Sequence, residues 1–334
     1  MHVFFALLIF LVALVNGWTD APSAIAGCVS TRSLTPRAAL ILAAICNFFG
    51  VVIMAVFRPG VAQVLYGIAD FGSDPGSAMV SLCCALLSVI IWASTACYFG
   101  LPTSESHALI SGLSGAAIAA SGSLDAINAE QWKSVLLGLF VSTLPVMIFA
   151  YIIYLLTSRA FAGQDRRGTM RYFKRVQLIS AGSSAFLHGA QDSQKFIGVY
   201  MLGASFLGQY TNRGEFRIPL PITITCALAM TMGTMLGGSR IIKKIGSDMT
   251  SLDPLSSSAA DTASSAFLGV CSYMGIPTAT THAKTCAMMG VGICKRSKTD
   301  PKIIAEIFLG WILTFPICAL MGFLLSFFAT RLFL

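Results

Sequence analysis

Charged side chains are scarce in this sequence. Asp, Glu, Lys and Arg make up 11% of it, against about 25% in ordinary soluble domains. Hydrophobic residues make up 56%, and the mean hydropathy is +0.78. The shortage argues against a soluble enzyme or a regulatory module and points to a polytopic membrane protein in a lipid bilayer. Metal-ligand spacing is also missing: the ten cysteines contain no C-x-x-C pair. They are expected to be free thiols, mostly buried as small apolar groups. The net charge of +8 would suit nucleic acid in a soluble protein. Here the basic residues sit in short loops, so they are read as a topology signal and no nucleic-acid partner is expected. No basic region precedes the apolar run 2–17, which is therefore read as a retained segment rather than a signal peptide.

Long apolar runs are what the sequence has instead. Runs of about 20 such residues span a bilayer as helices. The first half offers 2–30 (interrupted), 37–57, 76–99, 104–122 and 132–157. The second offers 176–207 (interrupted), 218–240, 254–274, 280–294 and 302–330. The expected organisation is a first repeat over 1–157, a basic cytoplasmic connector over 158–175 and a second repeat over 176–334. With five crossings per half, one set of alternate loops carries fifteen Lys and Arg, among them Arg159, Arg166, Arg167, Arg171, Lys298 and Lys302, and the other carries five: Arg58, Lys133, Arg213, Arg217 and Arg331. This bias puts the N-terminus outside and the connector in the cytoplasm. An odd number of crossings per half makes the repeats inverted, as in many secondary transporters. Treating 104–122 and 280–294 as re-entrant would change the count, and some other break would then have to restore the odd parity that the charge bias needs.

Two motifs occur twice. Asn16-Gly-Trp-Thr-Asp20 matches His188-Gly-Ala-Gln-Asp192, and Gly100-Leu-Pro-Thr-Ser-Glu-Ser-His-Ala matches Gly275-Ile-Pro-Thr-Ala-Thr-Thr-His-Ala at five of nine positions. Gly138 and Pro145 are echoed by Gly310 and Pro316. A carboxylate at membrane depth costs roughly 2.5–3.5 kcal/mol on insertion scales, so it tends to face a cavity or an ion. Gly17 and Pro22 flank Asp20, and a break there frees backbone groups that are tolerated only inside protein or along a cavity. Lys195 lies one turn from Asp192 on the same face. Either the two form a structural ion pair, or an anion-binding lysine stands beside a cation-binding aspartate. The runs after each Gly-x-Pro are rich in hydroxyls, which can cap a helix and can also hold a tetrahedral oxyanion. His107 and His282 have no carboxylate or thiol at ligand spacing. They are expected to orient the loops through a backbone bond, and no metal beyond Na⁺ is expected.

These stretches, with Gly237-Gly238-x-Arg240-Ile-Ile before Gly246 and the segment Pro254 to Asp261, resemble the inorganic phosphate transporter (PiT) family over nearly the whole chain. The resemblance implies an all-α, inverted-repeat secondary transporter with broken or half helices. Such a protein is a symporter taking up inorganic phosphate by alternating access, coupled to Na⁺ or H⁺, in the plasma membrane and without a bound cofactor. A homodimer is left open. Carried over by position, the cation-binding aspartates fall on Asp20 and Asp192, and the phosphate-contacting hydroxyls on Ser104, Ser106, Thr280 and Thr281. Gln191, Lys195 and Lys284 are expected to join the phosphate site; Ser23, Gln194 and Glu105 are expected to join the coupling site. The chain departs from the family pattern at Thr19 and Ser23 (usually Asn), Gln191 (Asn), Glu105 (Thr), Ala279 (Ser) and Lys284 (apolar).

Asp20, Glu105 and Asp192 against Lys195 and Lys284 leave one net negative charge before an anion arrives. A phosphate adds about one to two more negative charges, so a cation must enter with it, and Glu105 is a candidate proton carrier. The alternatives are a sulfate permease of the same fold, an intramembrane aspartyl protease and a passive anion channel. Sulfate never presents a donor, so the carboxylates favour a protonatable anion. The G-x-G-D and Pro-Ala-Leu patterns of the protease are missing.

Overall fold

A computed structural model describes residues 2–209, 216–297 and 299–333. Arg213 and Lys298, counted in the charge bias, lie outside the described residues. The described chain has no strand. In order, its helices are α1 His2–Thr19, α2 Ala21–Ser30, α3 Pro36–Phe57, α4 Gly60–Tyr66, α5 Pro75–Tyr98, α6 Glu105–Ser121, α7 Ala129–Val141 and α8 Leu144–Ala160. There follow α9 Arg166–Phe206, α10 Leu220–Leu236, α11 Ser239–Lys243, α12 Pro254–Met274, α13 Thr280–Lys295 and α14 Pro301–Phe333.

Each expected apolar segment corresponds to helix, but the helices are of two kinds. Among the described residues, five stretches are long and apolar enough to cross a membrane: His2–Ser30, Pro36–Phe57, Pro75–Tyr98, Ala129–Ala160 and Pro301–Leu332. A sixth forms if α10 is joined to the short helical run Ser239–Asp248 across a bend of 66°. The expected segment 218–240 contains this bend, which no apolar run reveals. It falls at Gly237, whose φ of +71° suits glycine alone among common residues. The remaining long helices, α6, α9, α12 and α13, are more polar and bury their polar residues against other helices. α12 hides Ser256, Ser257, Ser258, Asp261 and Ser264, a face that lipid would not tolerate.

The two aspartate motifs fold differently. α1 and α2 run on as one span nicked at Asp20. Pro22 has no N–H to give to the carbonyl four residues back, so the ladder opens there. The second motif was also expected to be interrupted. Instead it lies inside α9, an unbroken helix of 41 residues. The position matching Pro22 is Gln194, which keeps its N–H. α9 also begins at Arg166, so most of the basic connector is helical.

α6 and α13 start at the Gly-x-Pro tips and have 17 and 16 residues. At 1.5 Å per residue each is about 25 Å long, short of a hydrocarbon core of about 30 Å. α6 packs on α5 and α14, and α13 on α12 and α8. The long partners approach to backbone contact: a Cβ on Gly115 would lie 2.0 Å from the Ala319 carbonyl oxygen, and one on Gly290 would lie 2.1 Å from that of Met147. Small residues at such crossings are how helices pack closely in lipid. The ten cysteines are free, and most are buried.

Candidate functional site

The nick in α1–α2, the middle of α9 and the two tips converge on one buried polar cluster. Asp20, Glu105, Asp192, Ser104, Ser106, Thr280, Thr281, Gln191 and Lys195 are all buried. Thr281 donates to Asp20 Oδ1 at 2.7 Å, and Thr280 donates to Asp192 Oδ2 at 2.9 Å. Thus adjacent residues at the start of α13 reach the two aspartates of separate motifs. Asn16 Nδ2 also faces Asp192 Oδ2 at 3.4 Å.

Lys195 joins the parts. Its ammonium donates to Asp192 Oδ1 at 2.5 Å, to the Thr278 carbonyl at 2.6 Å and to the Ser106 hydroxyl. It is therefore both the ion-pair partner of Asp192 and a bridge between the tips. Gln191 fixes the second tip by giving its amide N–H to the Ile276 carbonyl and accepting from the Thr278 N–H, each at 3.3 Å. Ser104 caps α6, accepting from the His107 N–H at 3.3 Å. At the equivalent place in α13 stands Ala279, which has no capping side chain. The first N–H groups of α13 lack that cap, which favours an anion there.

Glu105 accepts a hydrogen bond from Thr19. Its other oxygen has no partner, and neither do Asp20 Oδ2 and Asn16 Oδ1. Buried acceptors without donors are rare in native proteins, and three in one cluster suit a proton or a hard cation. Oxygen donors of this kind fit Na⁺ better than a soft metal. Asp20, Asp192 and His188 also offer ligand atoms all within 4.8 Å of one another.

Three of the expected site residues lie elsewhere. Lys284 is ion-paired with Asp261 and donates to the Ala24 carbonyl at 3.2 Å rather than to a residue of that cluster. Gln194 spans from the Ala190 carbonyl to the Ala62 N–H, against α4. Ser23 turns its hydroxyl back to the Asp20 carbonyl at 2.7 Å, trimming the nick rather than facing the carboxylates. His107 and His282 hold the tips by ring contacts, not by a backbone bond. They meet at 4.6 Å, His107 stacks on Phe315 at 4.5 Å and His282 on Trp311 at 3.6 Å.

Sequence reasoning missed His188 and Asp261 as members of these groups. His188 Nε2 lies 3.3 Å from Asp192 Oδ2, and its Nδ1 is 3.1 Å from Asn47 Oδ1. Its spacing, one turn before Asp192, was a usable signal. Asp261, a carboxylate within the apolar run 254–274, was also a signal, but its partner lies on another helix and could not be read from spacing.

Residues 16–322 match the family model described as the phosphate transporter family. A "probable low-affinity inorganic phosphate transporter" of Bacillus subtilis is 32% identical over 96% of this chain and 94% of its own length. One from Rhizobium meliloti is 34% identical over 97% and 96%. A solved structure described as "the sodium-dependent phosphate transporter" superposes with a TM-score of 0.88 over 99% of both chains at 19% identity; it shares the fold.

Proposed function

The chain belongs to the phosphate transporter family, and on that premise we propose that it is a symporter taking up inorganic phosphate with Na⁺ or H⁺ by alternating access. The relatives are transporters, not enzymes, which leaves the protease alternative without support. The observation that carries the proposal is the charge balance of the buried cluster. With Lys284 committed to Asp261, Asp20, Glu105 and Asp192 face Lys195 alone among the lysines. If all are ionised the cluster is at −2, one unit more negative than the sequence count. A phosphate of about −1 to −2 would bring it to −3 or −4, which a low-dielectric interior does not sustain without cations. Anion and cation therefore favour each other's binding, which is the thermodynamic content of coupling.

In this reading Ser104, Ser106, Thr280, Thr281, Gln191 and Lys195 form the phosphate side. Asp20, Asp192 and Glu105 form the cation side, with His188 and Asn16 added. The bilayer is the plasma membrane, with the N-terminus outside and the basic start of α9 in the cytoplasm, and the two halves are inverted repeats. The occluded cluster is one state of the cycle. Phosphate uptake into proteoliposomes should be driven by an imposed inward Na⁺ gradient, an imposed pH gradient, or both. Accumulation driven by neither, or sulfate competing as well as phosphate itself, would defeat the proposal.

A further inference from the structure

A second buried charge pair lies apart from the anion cluster. The Lys284 ammonium sits between the Asp261 carboxylate and the Ala24 carbonyl oxygen, 3.2 Å from the latter. The other carboxylate oxygen of Asp261 accepts from Ser180 at 3.3 Å. Four helices meet here: α2, α9, α12 and α13. On the same helices, Ser257 Oγ and Ser265 Oγ (each four residues from Asp261), Gln177 Nε2 (three residues before Ser180) and Thr285 Oγ1 (next to Lys284) are buried without partners. Ser257 packs directly on Gly27, where an added Cβ would lie 2.0 Å from the hydroxyl oxygen. A carboxylate, a helix carbonyl and hydroxyls are the donor set of an alkali cation, all hard oxygen. The chain supplies the positive charge itself.

We propose that Lys284 is a tethered cation: its ammonium occupies, from within the chain, a position that would otherwise bind a monovalent cation from solution. The α2–α9–α12 seam then closes without recruiting an ion, and ion coupling is left to the Asp20–Asp192–Glu105 cluster. An ammonium on a four-carbon stem is a compact point charge, so removing the stem vacates an ion-sized place beside an uncompensated Asp261. The inference goes beyond the transport reading, since its test needs neither phosphate nor a gradient.

The test compares the wild type with Lys284→Ala and with Lys284→Ala/Asp261→Asn, each purified in NaCl and exchanged into choline chloride of equal ionic strength. Thermal unfolding midpoints are measured as Na⁺ or K⁺ replaces choline. Lys284→Ala should gain a saturable rise of several degrees beyond any wild-type response, as for a ligand that binds only the folded state. The double variant, without the carboxylate, should lose that gain. Equal cation responses in wild type and Lys284→Ala would overturn the proposal. So would a gain that survives Asp261→Asn, or a Lys284→Ala protein that cannot be recovered folded in any alkali chloride. Each of these results leaves the phosphate site unaffected, so the two readings fail separately.

Discussion

Replacing Lys195 with Met tests the anion cluster most directly. The ammonium is buried and makes three contacts: Asp192 Oδ1 at 2.5 Å, the Thr278 carbonyl at 2.6 Å and the Ser106 hydroxyl. Met keeps most of the volume and removes the charge. Breaking a buried pair by deleting one partner costs about 3–5 kcal/mol, because the remaining charge stays buried and uncompensated. That cost falls on the fold and should appear as a lowered thermal midpoint. Phosphate binding weakens for a separate reason: without the lysine the ionised cluster is at −3, and about 1.4 kcal/mol of lost attraction is already a factor of ten, so we expect the KM for phosphate to rise at least about tenfold. Uptake should also depend more steeply on the coupling ion. The assay is initial-rate uptake of labelled phosphate into proteoliposomes, with the thermal midpoint as a check on folding. Adding Asp192→Asn removes the stranded charge, so Lys195→Met/Asp192→Asn should be more heat-stable than Lys195→Met alone. A folded Lys195→Met protein with a KM within twofold of wild type would refute the charge argument.

Glu105→Gln should flatten the pH dependence of uptake while keeping the hydrogen bond from Thr19; an unchanged profile over a pH series removes Glu105 as the proton carrier. Gly115→Ala and Gly290→Ala force a Cβ to within 2.0 and 2.1 Å of the facing carbonyl oxygens, and each should lower the thermal midpoint by the equivalent of about 1–3 kcal/mol or more. Gly163→Ala, with nothing within 4 Å, is the control and should be silent. Asp253 caps α12 and pairs with Lys295 at 2.8 Å. Burial works to raise its carboxyl, but the bonds from Lys295 and Ser256 outweigh it and hold the carboxyl below the usual carboxylate value. A carboxylate lowered on folding stabilises the protein above its unfolded value near 3.9, and that stabilisation fades as pH falls through the folded value. The midpoint difference between wild type and Asp253→Asn should therefore be larger at pH 7 than at pH 3, and a difference independent of pH would contradict it.

Hydropathy made the outer helices legible, because lipid imposes a composition on whatever faces it. The same reading put α6, α9, α12 and α13 on a par with them, although their polar residues are enclosed by protein. Duplication made the carboxylates and hydroxyls legible: Asp20, Asp192 and the two tips were found as pairs and are one cluster in space. Duplication also misled, since it implied that α9 would break as α1–α2 does. A single residue, Gln194 in place of a proline, keeps α9 continuous. Pairings between distant helices left no trace in the sequence. Lys284 was expected at the anion as a lysine within the second hydroxyl-rich stretch, yet its ammonium pairs with Asp261 of α12. The role of His107 and His282 was half legible: their place at the tips was clear, but stacking on Trp311 and Phe315 depends on α14, which is remote in the chain.

The geometry suggests that coupling acts through donors as well as through net charge. In the proposed reading Thr280, Thr281 and Lys195 donate to phosphate; in the structure each is engaged with a carboxylate. A hydroxyl has one proton to give. If Thr280 and Thr281 turn to phosphate, Asp192 Oδ2 and Asp20 Oδ1 lose those bonds. Asp20 Oδ2 already has no partner, so Asp20 would then be without side-chain donors altogether. A buried carboxylate in that state is held only by a cation or a proton. Cation binding at Asp20 and Asp192 would conversely release both hydroxyls for the anion. The linkage is reciprocal, as any coupling free energy must be, and it needs no motion larger than two side-chain rotations at the start of α13. The uncapped position Ala279 suits this exchange, because no capping side chain there competes with the anion for the N–H groups it would meet.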